Sequence, residues 1–159
     1  MKKILITGSK GRVGKDLKKL LKEYYKILEL NEGDTISEDH FKGVGAVIHL
    51  AALTPNSNKK RSLQSYIETN VSLTKQILNY SIKYNIRIVI IPTSWSWIFR
   101  IGSYQYSKLL QEKVANKYKT LGLNVVLLEF PEVIHERYTG VVSAIQIRLG
   151  TKSRQLLIV

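Results

Sequence analysis

The sequence predicts an α/β fold with a doubly wound parallel sheet. Short runs rich in Ile, Leu and Val recur along the chain, and several are apolar on both faces, as in strands that helices cover on two sides. Amphipathic segments separate these runs, so strand and helix alternate. Such alternation is typical of parallel strands joined by right-handed crossovers. The length of 159 residues fits one domain, and we expect a single domain over residues 1–159.

Six strands are predicted, and in chain order they are 3–7, 26–30, 46–50, 87–91, 124–129 and 155–159. The helix after the first strand is predicted to bury one face, made of Leu17, Leu20, Leu21 and Tyr24. Longer helices are predicted over 62–84 and 104–121, the second ended by Gly122. Between these elements we find no interdomain linker, internal repeat or low-complexity segment.

The composition excludes several classes of chemistry. The chain has no cysteine, so it forms no disulfide and carries neither a reactive thiolate nor a cysteine-built zinc site. His40, His49 and His135 are scattered, without carboxylates at the spacing of a metal site, so we expect no metal. The first apolar run ends at the polar Thr7, which is too short for a signal-peptide core or a membrane span. We therefore expect a cytoplasmic protein without a membrane partner.

The chain is strongly basic, with 25 Lys and Arg residues, 12 Asp and Glu residues and a formal net charge of +13. Such an excess raises the affinity for polyanions, including nucleic acid and phosphorylated small molecules. The basic residues are spread along the chain, with one dense cluster at 59–61. This distribution favours a solvated lysine-rich surface, and we expect no nucleic-acid partner. A basic domain that binds nucleic acid is the alternative that the charge supports.

Residues 4–14, ILITGSKGRVG, join the first strand to the first helix through three closely spaced glycines. Such a turn places backbone amides at a helix N-terminus, where the helix dipole stabilises a pyrophosphate. Glycine is needed because a side chain would block the approach of the phosphate to the backbone. A plain strand-to-helix turn is the alternative interpretation. The candidate cofactor-binding residues here are Gly8, Ser9, Lys10, Gly11, Arg12, Val13 and Gly14.

The end of the second strand bears on the choice of cofactor. In NAD-binding domains this strand ends in an acidic residue that hydrogen-bonds the adenosine ribose. Here the strand is followed by Asn31, and Glu29 lies further back on the same strand. Lys10 and Arg12, inside the glycine turn, could contact a 2′-phosphate. This pattern favours NADP over NAD.

Four motifs in order carry a family resemblance. The glycine turn is followed by 47–52 (VIHLAA), 70–74 (NVSLT) and 104–108 (YQYSK). Together they resemble the extended short-chain dehydrogenase/reductase family, which includes nucleotide-sugar epimerases, dehydratases and 4-keto-sugar reductases of the dTDP-4-dehydrorhamnose reductase type. The resemblance covers nearly all of the chain and implies a Rossmann fold that binds NAD or NADP. The segment 33–36 also resembles the one whose aspartate contacts the adenine ring.

The resemblance implies cofactor contacts beyond the turn. His49 falls where the family lines the cofactor cleft, and we expect a structural histidine there. The further cofactor-binding residues that the resemblance implies are Asn31, Asp34, Thr35, Leu50, Ala51, Ala52, Asn70, Tyr104, Lys108, Phe130 and Pro131.

The resemblance also implies catalytic residues. In the family a tyrosine and a lysine four residues later face the nicotinamide ribose, and Tyr104 and Lys108 match them. The lysine charge stabilises tyrosinate and lowers the tyrosine pKa, so that the tyrosine exchanges a proton near neutral pH. A Ser or Thr at the end of the fourth strand orients the substrate, but Trp95 stands there, flanked by Ser94 and Ser96. We expect Ser94 or Ser96 to take this role. A surface tyrosine beside a solvated lysine is the alternative.

The sequence departs from the family in the parts that bind substrate. Between the fourth strand and Tyr104, relatives have a longer loop, whereas this chain has only residues 99–103. The stretch 129–136, after the fifth strand, lacks the Arg, Asn and Gly that relatives carry there. We expect most of the C-terminal substrate lobe to be absent. The expected function is NAD(P) binding, with oxidoreductase or epimerase activity on a nucleotide-linked sugar if the site is active. The alternative is a catalytically degenerate dinucleotide-binding module or assembly subunit.

Relatives in this family dimerise by packing two helices of each subunit into a four-helix bundle. The corresponding helices, 62–84 and 104–121, carry more apolar positions than one buried face requires, including Leu109, Leu110 and Val114. We therefore expect a twofold-symmetric homodimer through these helices.

Overall fold

The computed structural model describes residues 2–55, 59–94 and 102–130. The strands are β1 (Lys3–Thr7), β2 (Lys26–Leu30), β3 (Val44–His49), β4 (Ile88–Ser94) and β5 (Val125–Phe130). The helices are α1 (Arg12–Leu21), α2 (Leu63–Ile67), α3 (Leu73–Lys83) and α4 (Ser103–Thr120). A 3₁₀ turn (Glu38–His40) precedes β3, and a π-helical segment (Glu68–Ser72) joins α2 to α3.

The predicted bounds of β1 and β2 are confirmed, and the other elements shift by a few residues. β4 continues to Ser94, beyond its predicted end, because Pro92, Thr93 and Ser94 pair in parallel register with β5. The predicted strand 155–159 lies outside the described residues. In the described part, no helix is long and apolar enough to cross a membrane.

The five strands form one parallel sheet in the order β2-β1-β3-β4-β5. The chain moves from β1 to β2 in one direction and then returns past β1 to β3. The switch point therefore lies between β1 and β3, and ligands of open α/β sheets bind outside the carboxyl ends of the strands at such a point. The glycine turn follows β1 directly and lies at this place.

Helices cover both faces of the sheet, which confirms the doubly wound prediction. One face packs against α1. The core between that face and the helix consists of the buried residues Ile4, Ile6, Leu17, Leu21, Ala46, Ile48, Ile88 and Ile90. The other packs against α3 and α4, with a core that includes Leu5, Val47, Ile77, Leu78, Val89, Ile91, Ala115 and Val125. Each fully buried Leu, Ile or Val side chain contributes about 1.5–3 kcal/mol relative to exposure. This rigid sheet holds the ends of β1 and β3 in place.

The predicted buried face of α1 is wrong at two residues. Leu17 and Leu21 are fully buried, whereas Leu20 is 43% exposed and Tyr24 is 55% exposed. α1 ends at Leu21, so the helical spacing no longer applies at Tyr24. Leu20 lies about 100° around the helix from Leu21, on the side away from the sheet.

Candidate functional site

Two glycines pack the turn after β1 closely against its neighbours. Gly8 has φ +72°, and a Cβ built there would lie 2.8 Å from the backbone nitrogen of Ala51. A Cβ on Gly14 would lie 2.4 Å from the carbonyl oxygen of Gly8. Because real Cβ atoms do not approach backbone so closely, both positions require glycine. The turn thereby brings the end of β1, the start of α1 and the residues after β3 together.

Gly11 is the N-cap of α1 and offers no side-chain acceptor to the first turn of the helix. Its backbone is extended, with φ −66° and ψ 168°, a conformation open to any residue. Its amide donates to the Gly8 carbonyl at 3.0 Å, and its carbonyl accepts from the Lys15 amide at 2.9 Å. Since no cap occupies the exposed side of Gly11, an anion can take that place, where the helix dipole favours it.

Asn31 and Glu29 brace the turn from the end of β2. Asn31 Oδ1 accepts from the Lys10 amide at 3.0 Å and lies 3.1 Å from Ser9 Oγ. The Ser9 hydroxyl donates to Glu29 Oε2 at 2.5 Å, and Lys18 Nζ donates to Glu29 Oε1 at 2.5 Å. These hydrogen bonds, from Lys18 and then Ser9, hold the pKa of Glu29 below its usual range. The sequence indicated a cofactor role for Asn31 and missed that it holds the turn.

Asp34 and Thr35 lie on the loop that follows Asn31. The Asp34 carboxylate accepts from the Asn31 amide at 2.7 Å, and the Asp34 amide donates to the Asn31 carbonyl at 3.0 Å. Gly33, with φ +88°, allows this tight turn. Asp34 and Thr35 are both exposed.

An open groove of about 450 Å³ runs from the glycine turn along α1. It is lined by Ser9, Lys10, Lys15, Lys18, Lys19, Lys22 and Glu29. Five lysines face one carboxylate in this groove, so its potential is strongly positive. The turn therefore lies beside a surface that attracts anions.

The residues after β3 form the other wall of the site. The Leu50 amide donates to the Thr7 carbonyl at 3.1 Å, and the Ala51 amide donates to the Thr7 hydroxyl at 3.1 Å. Leu50, Ala51 and Ala52 are half-buried. The structure thus brings Leu50 and Ala51 against the start of the glycine turn, and Ala52 follows them in the chain.

A buried chain of hydrogen bonds starts at Thr7 and fixes the tautomer of His49, which is 2% exposed. Thr74 donates its one proton to the Asn70 carbonyl at 2.8 Å, so it accepts from His49 Nε2, also 2.8 Å away. Nδ1 of His49 then accepts from the Thr7 hydroxyl at 2.7 Å. Burial, with the charge of Lys108, lowers the pKa of His49 to about 3. The expected structural histidine is confirmed as a neutral one.

Asn70 ties the π-helical segment to the loop after β3. Its side chain accepts from the Leu53 amide at 2.7 Å and donates to the Leu53 carbonyl at 3.0 Å. It also donates to the Ser107 hydroxyl at 3.0 Å, on α4. Asn70 is fully buried, so it acts as a brace behind the site wall. Single π turns inside helices often occur at functional sites, and the sequence did not predict this one.

Tyr104 and Lys108 lie one turn apart on α4, but their surroundings differ. Tyr104 is half-buried with its ring edge-on to Tyr66, the ring centroids being 5.8 Å apart. Lys108 is 5% exposed, and its Nζ donates to the Pro92 carbonyl at 3.3 Å and to Gln111 Oε1. The alternative of a solvated lysine is therefore wrong.

The acidities of this pair differ from the expected ones. Burial, and then the charge of Tyr66, raise the pKa of Tyr104, opposite to the lowering expected for a proton-exchanging tyrosine. Burial lowers the pKa of Lys108 to about 8, against the opposing effect of the Glu112 carboxylate. Tyr104 in this geometry is thus a neutral phenol at physiological pH.

The remaining candidates lie at the carboxyl ends of β4 and β5 or outside the described residues. Ser94 ends β4 and pairs in register with Phe130, the last residue of β5. Ser96 and Pro131 lie outside the described residues, as does Trp95. Within the ranges that the structure describes, no three His, Asp or Glu side chains are placed to hold a metal ion.

Residues 4–98, which make up more than half of the chain, match the model of the NAD dependent epimerase/dehydratase family. The chain belongs to this family. The resemblance inferred from the four motifs is thereby confirmed. Among curated proteins, none matches the chain significantly.

Several solved structures share the fold of this chain. UDP-glucuronic acid 4-epimerase from Bacillus cereus, in complex with NAD, has 18% identity and a TM-score of 0.72, covering 81% of this chain and 56% of that one. A short-chain dehydrogenase/reductase superfamily protein from Agrobacterium tumefaciens, with bound NAD, has 21% identity and a TM-score of 0.70. The match covers 80% of this chain and 48% of that protein's chain. A dTDP-glucose 4,6-dehydratase from Streptomyces venezuelae has 19% identity and a TM-score of 0.68. The match covers 80% of this chain and 55% of the dehydratase chain.

These likenesses confirm a Rossmann-like fold for the chain. The chain spans about half the length of the structures that it matches. All three of these structures contain NAD.

Proposed function

We propose that the chain binds NAD or NADP at the glycine turn, as a dinucleotide-binding domain of the epimerase/dehydratase type. The observation that carries this proposal is the packing of Gly8 and Gly14 at the switch point between β1 and β3. It leaves the uncapped start of α1, at Gly11, as the place for the pyrophosphate. Family membership over residues 4–98 supports the same function.

The nicotinamide end of the cofactor is proposed to reach Tyr104 and Lys108. Among the described residues, Lys108 Nζ donates to the Pro92 carbonyl and to Gln111, which leaves one of its three protons for a ribose hydroxyl. Tyr104, one turn earlier, lies at the same end of α4. Asn70, through Ser107, supports the helix between them.

The five-lysine groove supports a preference for NADP. Lys10 bonds through its amide to Asn31 at the end of β2, where a 2′-phosphate lies in NADP-binding domains of this kind. Asn31 supplies no negative charge there, although Glu29 does so deeper in the groove. We expect NADP to bind at least as tightly as NAD.

The proposed reaction is proton exchange between Tyr104 and a hydroxyl or carbonyl of a nucleotide-linked sugar, with the bound dinucleotide supplying hydride chemistry. Ser94 or Ser96 is proposed to orient the substrate. The second candidate is a module that binds the dinucleotide without turnover. The raised pKa of Tyr104 favours this second candidate, because a neutral phenol is a weak base.

Fluorescence titration of NADH and NADPH into the wild type, Tyr104→Phe and Lys108→Met tests the proposal. Tyr104→Phe should leave the affinity within about twofold, whereas Lys108→Met should weaken it about tenfold or more, the worth of a hydrogen bond from a charged group. Assays with UDP-glucose and UDP-glucuronic acid then separate the two candidates. Turnover by the wild type that Tyr104→Phe abolishes identifies the enzyme. Binding without turnover identifies the module.

A further inference from the structure

Gln111 joins Lys108 to the hydrogen-bonded chain around His49. It is 1% exposed and lies one turn after Lys108 on α4. Gln111 Oε1 accepts from Lys108 Nζ, and Gln111 Nε2 donates to Thr74 Oγ1 at 2.7 Å. Thr74 has no proton to give in return, because it donates to Asn70. The amide of Gln111 therefore has one possible orientation, with its oxygen towards the lysine.

The whole chain of bonds has one consistent arrangement of protons. The Ala51 amide donates to the Thr7 hydroxyl, and the Thr7 hydroxyl donates to His49 Nδ1. His49 Nε2 and Gln111 Nε2 both donate to the Thr74 hydroxyl oxygen. No buried side-chain nitrogen or oxygen in the described residues lacks a partner. The bonds thus run without a gap from the wall of the glycine turn to the ammonium of Lys108.

We propose that Gln111 is a positioning residue, which holds the Lys108 ammonium at the Pro92 carbonyl and keeps it charged for contact with the dinucleotide ribose. The ribose contact rests on the function proposed above. The Oε1 atom of Gln111 stabilises the ammonium more than the neutral amine, because a hydrogen bond from a charged donor is roughly twice as strong as one from a neutral donor. Removing this oxygen lowers the fraction of Lys108 that is charged near neutral pH.

The other ionisable groups around Lys108 do not replace Gln111. Glu112, on the same helix, favours the charged form of Lys108 but is the acceptor for the Thr93 hydroxyl. His49, on β3, is neutral, and burial raises the pKa of Tyr104, so its phenol is neutral as well. Burial has already brought the Lys108 pKa to about 8, so a small further decrease changes its charge near pH 7.5.

Two substitutions that act in opposite directions test this role. Gln111→Met keeps the volume and removes the acceptor, so the Lys108 pKa should fall by about one unit. Gln111→Glu supplies a full negative charge, so the pKa should rise. Tyr118→Phe is the control, since it removes a side-chain hydrogen bond between the same helix and Asn79 on α3, away from Lys108. The Lys108 pKa is measured by NMR of ¹³Cε-lysine protein, the signal being assigned by its absence in Lys108→Arg.

The pH dependence of NADPH affinity gives the second readout. A decrease of one unit from about 8 should weaken binding about threefold at pH 7.5 in Gln111→Met, and the difference should vanish near pH 6, where Lys108 is charged in both proteins. Equal Lys108 pKa values in all four proteins, or shifts of the same sign in both Gln111 variants, would overturn the positioning role. If the wild type binds neither cofactor, the proposed function fails, and the NMR titration still decides the role of Gln111.

Discussion

The carbonyl oxygen of Gly8 lies directly against Gly14, so close that a Cβ on Gly14 would be 2.4 Å from it. Gly14 also packs on Ser9, whose Cα would lie 2.7 Å from that Cβ. The first turn of α1 is thereby pressed onto the strand-to-helix turn. This contact gives the turn the shape on which the proposed dinucleotide site depends.

Gly14→Ala should destabilise the fold by about 1–3 kcal/mol, since the added methyl meets backbone that cannot move without shifting α1. Gly45→Ala in β3 is the matched control, because its nearest neighbour, the Lys3 carbonyl, would be 3.8 Å from the new Cβ. Urea unfolding measures both free energies of unfolding. Equal effects of the two substitutions would show that the packing at Gly14 is not critical.

The neutral, buried His49 should make the fold sensitive to mild acid. Its pKa is about 3 in the folded state and 6.5 in the unfolded chain, so the unfolded state binds the extra proton between these values. Stability is therefore full above pH 6.5 and is lost as the pH falls, by about 2 kcal/mol between pH 7 and pH 5. His49→Gln, which can keep a donor and an acceptor, should lose this pH dependence in urea titrations at the two pH values. An unchanged slope would contradict the assignment.

Asn31 should influence both the turn and the choice of cofactor. Asn31→Asp keeps an acceptor for the Lys10 amide but places a negative charge where a 2′-phosphate is proposed. We expect the ratio of NADP to NAD affinity to fall about fivefold, which corresponds to about 1 kcal/mol of repulsion near the surface. Calorimetric titration with both cofactors measures the ratio. A ratio that does not change would place the 2′-phosphate elsewhere.

The outer faces of α2 and α4 are proposed to form a homodimer. Leu63 and Tyr106 are 40% and 43% exposed, on helices that pack side by side. Tyr106→Glu should convert the dimer to a monomer by burying a charge in the interface. Tyr24→Glu, at an exposed tyrosine after α1, should leave it intact. Light scattering at micromolar concentrations measures the oligomeric state of the three proteins, and a monomeric wild type would refute the proposal.

The sequence was most informative where local pattern and burial agree. β1 and β2 are short apolar runs bounded by polar residues, and their predicted bounds match the structure. The glycine turn was equally visible, because Gly8, Gly11 and Gly14 follow a strand and open a helix. The family motifs then located Tyr104 and Lys108, which the structure places one turn apart.

Features that depend on distant partners were not predictable. The π-helical segment contains no Gly or Pro, and it is Asn70 within it that bonds Leu53 and Ser107 from other elements. Gln111 has no local signal either, since its role comes from Lys108 and from Thr74 on another helix. The expected lowering of the Tyr104 pKa was wrong. Burial, and then Tyr66, raise that pKa, although Lys108 lies only four residues further along the chain.

Calorimetric titration of NAD and NADP into the wild type, Gly11→Ala and Gly45→Ala tests the central proposal most directly. Gly11 has an unstrained backbone, but its new Cβ would lie 3.1 Å from the Gly8 carbonyl, a tight contact that requires a shift of a few tenths of an ångström. Gly11→Ala should therefore fold while disturbing the turn at the position proposed for the pyrophosphate. We expect saturable binding to the wild type, a loss of about tenfold or more in Gly11→Ala, and a change below about twofold in Gly45→Ala. Absence of saturable binding of either cofactor to the wild type, or equal affinities of Gly11→Ala and the wild type, would contradict a dinucleotide site at the glycine turn.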